Sequence, residues 1–306
     1  KRIIPIVGDI IDENLSETLS VDIQTVIHAA ATVKHFGEYD YFYSVNVKGT
    51  ENVLAYAKKK KAKFMFVSTV SVSGSNLTVK GTGTEIFRES DLFIGQNLSN
   101  VYIRSKFEAE RLVLGAKLEG FDCKIFRVGN LTNRYSDGVF QQNYKENAFL
   151  RRMKPFIDLK AYPVEIADSS VEFSPVDYTA EAIVKLAEYT GEKYTVFHVN
   201  DPKQISYGHL MEMLRCSEYT VDPVNSEDFV RLLSSEKYTA YDSVKNDLNE
   251  MKAMSEFVKV QSDSSFTETL LSKIGFEWCE ISQQYIDMYV KHFNNLNYWN
   301  TNGGKS

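Results

Sequence analysis

The sequence predicts a parallel, doubly wound α/β sheet joined to a smaller, mainly helical C-terminal domain. Three observations predict it. Short β-branched and aromatic runs alternate with segments whose apolar residues fall at helical spacing. Those intervening segments are long enough to be crossover helices between parallel strands. The regular alternation then loosens after Leu131, where a polar, aromatic stretch follows.

Taken in order, RIIPIVGD (2–9) reads as a buried strand and TVIHAAA (25–31) as a second. SVNVKGTENVLAYAKKKK (44–61) has helical periodicity, and its lysine run, Lys58 to Lys61, complements the C-terminal end of that helix. KFMFVSTVSV (63–72) is the next strand. YIRSKFEAERLVLGAKLEG (102–120) is helical with Gly120 as its stop signal, and DCKIFRVGNL (122–131) returns to strand. VEFSPVDYTAEAIVKLAEYT (171–190) reads as strand, turn and helix, and YTVFHVND (194–201) as one more sheet strand. From about residue 204 the chain is mainly amphipathic helix, with the acidic, Ser-rich segment 217–265 the least patterned. The expected domains are 1–131 with 171–203, and 132–170 with 204–306.

A dinucleotide-binding sheet opens with a strand and a Gly-x-Gly-x-x-Gly-like turn. No such turn precedes residue 44, and KGTGTE (80–85) opens no helix and reads as a plain loop. The sequence therefore reads as starting near the third strand of such a fold, without its first βαβ unit.

Composition narrows the function classes. A net charge of -6 argues against broad nucleic-acid binding. No apolar run approaches the roughly 18 residues of a membrane span, and KRIIPIVGDI does not resemble a secretory leader. Cys123, Cys216 and Cys279 are odd in number and far apart, which fits a reducing cytoplasm rather than a disulfide framework or a zinc site.

Tyr-x-x-x-Lys occurs at Tyr56/Lys60, Tyr102/Lys106, Tyr189/Lys193 and Tyr241/Lys245, so spacing alone selects none of them. Context selects Tyr102/Lys106. In a doubly wound sheet ligands meet the carboxyl ends of the strands, where Ser68, Thr69 and Ser71 stand, and the helix opened by Tyr102 follows. Residues four apart share a helix face. A nearby ammonium is expected to lower the tyrosine pKa toward neutrality, making the phenol a proton donor or acceptor. Thr69 can steady the same substrate oxygen. The other pairs lack this setting: Tyr56/Lys60 sits near a helix end, Tyr189/Lys193 straddles Gly191, and Tyr241/Lys245 lies in the acidic tail.

The motifs VGDI (7–10), VIHAAATV (26–33), NVKGTENVL (46–54), FVSTVSV (66–72), YIRSK (102–106) and FRVGNLT (126–132) resemble, in order and spacing, the extended short-chain dehydrogenase/reductases, whose sheet is Rossmann-type. With FRVGNLTNRYSDGVFQ (126–141) and VEFSPVDYTAEAIV (171–184), the chain most resembles the terminal thioester reductase domains of nonribosomal peptide synthetases. Carboxylic acid reductases and fatty acyl-CoA reductases share that module. The resemblance implies Thr69, Tyr102 and Lys106 as the catalytic triad. It implies Asp9 and Ile10 near the adenine, and His28, Ala29, Ala30 and Ala31 beside the cofactor. Asn46 would be the buried helix asparagine of the fold. Val67 and Ser68, with Tyr102 and Lys106, would line the cofactor, and Val128, Gly129 and Asn130 would lie beside the nicotinamide. It further implies NADPH and a peptidyl thioester on the phosphopantetheine arm of a carrier domain in the same longer polypeptide, with no nucleic acid, no membrane and a monomeric domain. Neither the glycine-rich turn nor an arginine for the 2'-phosphate is visible, so the residues themselves do not choose NADPH over NADH. Each assignment has a plainer alternative: Asp9 as a turn cap, His28 as a satisfied core histidine, Asn46 as a buried hydrogen-bonding residue, and Gly129 as a backbone accommodation; FLRRMK (149–154) reads equally as a site for the phosphopantetheine phosphate or as a solvated basic face. A sugar-nucleotide epimerase or dehydratase on bound NAD, and a nucleotide-sensing scaffold, are the competing functions.

Overall fold

A computed structural model describes residues 3–18, 22–34, 37–190, 194–234 and 256–299. Its contacts divide the chain into two compact units: 1–128 with 183–199 and 257–274, and 129–182 with 200–256 and 275–306. Residues 257–274 thus group with the first unit, whereas the sequence assigned them to the second domain.

The first unit is built on a four-stranded parallel sheet of β1 (Thr25–His28), β2 (Lys63–Thr69), β5 (Cys123–Val128) and β6 (Val196–Val199), in the order β1-β2-β5-β6. A second, three-stranded sheet places β7 (Phe257–Ser262) between β3 (Asn76–Lys80) and β4 (Thr84–Phe87). KGTGTE is the connection from β3 to β4, with Gly81 and Gly83 at positive φ. Every residue of β5 is buried, as expected for a strand covered on both faces.

Three helices matter for the site: α1 (Gly49–Lys60), α2 (Val101–Leu118) and α3 (Ser265–Lys273). Val53, Leu54 and Ala57 of α1 and Ala109, Val113 and Ala116 of α2 pack on Phe64, Phe66, Cys123 and Ile125 of the sheet. Burying each large side chain there contributes about 1.5–3 kcal/mol. Asn100 caps α2, its Oδ1 accepting from the N–H groups of Tyr102 and Ile103. Gly120 ends it at φ 90°, the left-handed position the sequence marked as a stop. Lys58 reaches Glu119 at 2.7 Å on the exposed side.

One expected strand is not formed. Residues 3–9 pair with no strand, and Ile3, Ile4, Ile6 and Val7 are exposed. An apolar run becomes a buried strand only beside a neighbour that takes its backbone hydrogen bonds, and β1 is the edge of the sheet on that side.

Among the described residues the second unit carries helices Ala148–Leu159, Tyr207–Cys216, Ser226–Leu233 and Gln283–Asn295 and three two-stranded pairs. Its core is aromatic, with Phe156, Phe173, Phe229, Tyr285, Phe293 and Trp299 almost fully buried. Part of the segment 217–265, including Tyr241/Lys245, lies outside the described residues, as does Lys193.

Candidate active site

Tyr102 and Lys106 stand on the sheet-facing side of α2, and Thr69 is the last residue of β2. The Tyr102 and Thr69 hydroxyls are hydrogen-bonded. Thr69 Oγ1 also accepts the Ser71 N–H at 3.1 Å, capping the 3-10 turn Val70–Ser73. That acceptance occupies a lone pair of the threonine oxygen and leaves its proton available to give. Lys106 Nζ donates to the Val67 carbonyl at 2.8 Å and lies 4.1 Å from the centre of the Phe66 ring.

Burial changes the expected proton chemistry. It pushes the Tyr102 phenol up to about 12, while the bond from Thr69 pulls the other way. It pushes the Lys106 ammonium down to about 7, partly opposed by the Glu110 carboxylate. The sequence led to a tyrosine depressed by a full lysine charge. In the folded chain desolvation dominates at both groups: Tyr102 keeps its proton at neutral pH, and Lys106 titrates near it.

Asn46 lies in a π-helical turn, Tyr43–Lys48, that leads into α1. Its Oδ1 accepts the Thr32 N–H at 2.8 Å, and its Nδ2 donates to the Thr32 carbonyl at 3.0 Å and to Ser105 Oγ at 2.9 Å. It therefore ties the loop after β1 to the helix of Tyr102 and Lys106. His28 is buried between Phe64 and Phe66. Thr50 Oγ1 donates to the Asn46 carbonyl at 2.6 Å, so at 3.0 Å it accepts from His28 Nε2, which fixes the Nε2–H tautomer. Burial, then Lys106, holds His28 down at about 4, so it is neutral.

Asp9 is exposed and caps a turn, its Oδ1 accepting the Ile11 N–H at 3.1 Å. Asp9, Ile10, His28, Ala29 and Ala30 line one cavity of 270 Å³, together with Val26, Val53 and Tyr56. Ala31 and Val67 are half-buried, and Ser68 is buried within β2 with its hydroxyl unmatched by any protein group. Of the other Tyr-x-x-x-Lys pairs, Tyr56 is buried in α1 with Lys60 over its own ring at 5.9 Å.

Val128 ends β5 in the first unit, and Gly129 and Asn130 begin the second. In that second unit Asn130 donates its N–H to Glu172 Oε1 and its side-chain amide to the Glu172 carbonyl, both at 3.0 Å. A Cβ on Gly129 would overlap the Glu172 carboxyl group and Asn200, so glycine here is a close backbone approach. Burial raises the Glu172 pKa to about 7, against bonds from Ser174 and Asn130 that lower it. The basic stretch of FLRRMK lies on helix Ala148–Leu159, with Arg151 and Arg152 exposed and Lys154 bonded to Asp158 and the Tyr298 carbonyl.

Sequence reasoning missed Glu172 and the buried Glu110–Arg127 pair. Glu110 had a signal, since it continues the four-residue spacing of Tyr102 and Lys106. Among the described residues no three His, Cys, Asp or Glu side chains are grouped to hold a metal ion, and no helix is long and apolar enough to cross a membrane.

Residues 1–183 match the profile of the family described as male sterility protein, an NAD-binding family. The chain belongs to the male sterility protein family. Its sheet and helices are those of an extended short-chain dehydrogenase/reductase, an NAD(P)-binding fold. Similar to this family member are glycine betaine reductase ATRR of Emericella nidulans, 27% identical over 225 residues, which cover 72% of this chain and 17% of that protein, and a linear gramicidin synthase of Brevibacillus parabrevis, 26% identical over 243 residues, 77% of this chain and 5% of that protein. The chain thus spans a small part of these relatives. Among solved structures, the thiolation-reductase di-domain of an archaeal non-ribosomal peptide synthetase superposes with a TM-score of 0.85 at 34% identity, covering 98% of this chain and 63% of that one. The reductase domain of the aureusimine biosynthetic cluster superposes with a TM-score of 0.74 at 30% identity, covering 91% and 70%.

Proposed function

We propose that this male sterility family member is the reductase part of a carrier-bound assembly system. It reduces a peptidyl or acyl thioester on a phosphopantetheine arm with NADPH and releases an aldehyde or alcohol. The observation that carries this reading is the Tyr102–Thr69 hydroxyl pair at the end of β2, with Lys106 one turn along the same helix and bonded to Val67 of that strand.

Thr69 and Tyr102 present two O–H donors at one place, and a carbonyl oxygen held there would have its developing negative charge stabilised by both. Tyr102, kept protonated by burial, gives its proton to that oxygen. The hemithioacetal formed on the substrate then loses the carrier thiol and leaves the aldehyde. The residues suit a dinucleotide. As an ammonium Lys106 has three N–H donors, of which the Val67 carbonyl takes one, and Ala29 and Ala30 are small and exposed at the carboxyl end of β1. Lys106 would hold the nicotinamide ribose, with Asp9 and Ile10 toward the adenine and Ala29 to Ala31, Val67, Ser68, Val128, Gly129 and Asn130 along the cofactor. His28 and Asn46, whose side chains are engaged inside the protein, would contribute through their backbone and by holding the loop after β1. When bound, the reduced nicotinamide supplies the hydride. The partner is a carrier domain of the same polypeptide, a reading supported by the likeness to a reductase that is joined to a thiolation domain in a peptide synthetase.

The test mixes the full-length protein, charged with a peptidyl or acyl thioester on its carrier, with NADPH. It follows NADPH loss and identifies the product by mass, with Tyr102→Phe alongside. Aldehyde or alcohol that disappears in the variant supports the proposal. Turnover of a nucleotide sugar instead, or full activity of Tyr102→Phe, would overturn it.

A further inference from the structure

The buried face of α2 continues past Lys106 to Glu110, one more step of four residues. Glu110 and Arg127 are both fully buried and form a fork: Arg127 Nε lies 3.1 Å from each Glu110 oxygen and Nη2 lies 2.8 Å from Oε2. The same guanidinium donates from Nη2 to the Asp91 carbonyl at 2.8 Å. Its Nη1 faces His198 Nε2 at 3.1 Å. Arginine can only donate, so His198 Nε2 accepts. His198 Nδ1 then carries the proton and gives it to the Asp263 carbonyl at 2.8 Å. Phe87 lies against the guanidinium and stacks on the His198 ring. Thr267 closes the cluster, accepting the His198 N–H and donating to Glu89. Helix α2, strands β5 and β6, the stretch 87–91 and the segment 263–267 therefore meet on one arginine.

This is costly construction if stability were all it served. A buried ion pair often does no better than apolar residues of similar volume, and its better-attested use is to fix register. Register is what the Thr69–Tyr102–Lys106 set requires. Thr69 is on β2, which pairs with β5 so that Thr69 stands opposite Val128 and Ser68 opposite Arg127. Tyr102 and Lys106 are on α2. A bidentate bond from β5 to α2 sets the height and rotation of the helix against the strands that position Thr69.

We propose that Glu110, held by Arg127, is a positioning residue for that set, fixing the helix of Tyr102 and Lys106 in register with the strand end that presents Thr69. The proposal rests on the catalytic reading of those three residues. It predicts that the fork, rather than the charge alone, is needed for turnover.

Three variants of the full-length protein test it: Arg127→Lys, which keeps the charge but loses the fork, Glu110→Met/Arg127→Met, which replaces the pair by apolar groups, and Tyr102→Phe as a reference. Steady-state kinetics with NADPH and a carrier-bound acyl thioester are read beside thermal melting. The expected result is a kcat lower by roughly tenfold or more in both pair variants, with KM for NADPH raised as well because Lys106 would hold the ribose, and a kcat that stays low in the double variant whatever its melting temperature. A merely structural pair would instead give back activity together with stability in the double variant, and that would overturn the proposal. So would parental kcat in Arg127→Lys, whose retained charge keeps it foldable should the double variant fail to fold. A readout independent of turnover is the NMR titration of the Lys106 Cε, assigned by its loss in Lys106→Met. Its midpoint should move down in Glu110→Gln, and a midpoint that stays in place would refute the coupling. Full activity of Tyr102→Phe would overturn the catalytic reading itself, a result distinct from a failure of Glu110.

Discussion

Replacing Lys106 by methionine should abolish reduction and yet make the protein more stable at neutral pH. Lys106 is 3% exposed, and burial lowers its pKa from 10.5 to about 7. Between those two values the unfolded chain binds a proton that the folded chain releases, so stability rises with pH across the window, and the cost is fully developed below it. At pH 7, with the folded amine half protonated, linkage gives a cost of about 4 kcal/mol; near pH 9.5 it falls to about 1 kcal/mol. Methionine keeps the stem and drops the charge. It also gives up the bond to the Val67 carbonyl, worth about 1–2 kcal/mol. The variant should therefore gain about 2–3 kcal/mol at pH 7, and this gain should vanish near pH 9.5. Urea unfolding of both proteins at both pH values measures it, and taking the difference cancels the other titrating groups. A difference that does not change with pH would refute the reasoning, because it would mean that Lys106 keeps its full charge in the fold.

Thr69→Val keeps the shape and removes the hydroxyl that meets Tyr102, so kcat should fall by about 10²-fold or more, while the lost cap on the Ser71 N–H costs only about 1 kcal/mol in unfolding. Asn46→Leu strands the N–H and carbonyl of Thr32 and the Ser105 hydroxyl, and should cost about 2–4 kcal/mol in denaturant unfolding. Glu172 binds its proton more tightly folded than unfolded, with its pKa raised from 4.5 to about 7. Its contribution is thus full below pH 4.5 and lost as pH rises through 7. Glu172→Gln, neutral throughout, should gain on the parent by up to about 3 kcal/mol between those limits, as read from paired unfolding curves at pH 5 and pH 8. A Gln variant that gains nothing would show that the carboxyl group titrates normally.

Much of the site was legible because its parts are set by local periodicity. A four-residue step puts Tyr102 and Lys106 on one face of α2, and the alternation of strand and helix brings the end of β2 to that face. Gly120 marked the end of that helix through chemistry confined to a few residues. The motif order alone pointed to the extended short-chain dehydrogenase/reductase group, and the match over residues 1–183 agrees with it.

Other features were decided only in three dimensions. RIIPIVGD has the composition of a strand, but a strand exists by pairing, and residues 3–9 have no partner strand. The Arg127 fork joins groups 17 and 71 residues apart, with Glu110 and with His198, and no short window of sequence contains that meeting. The direction of the Tyr102 and Lys106 shifts also escaped the sequence. Spacing reports that a lysine lies near a tyrosine, whereas desolvation depends on how much protein from elsewhere in the chain surrounds them both. The sequence by itself determined which groups share a face and in what order the strands and helices come. The tertiary structure decided which of those groups lose their water, because that is a sum over distant neighbours, and it decides which protons they hold.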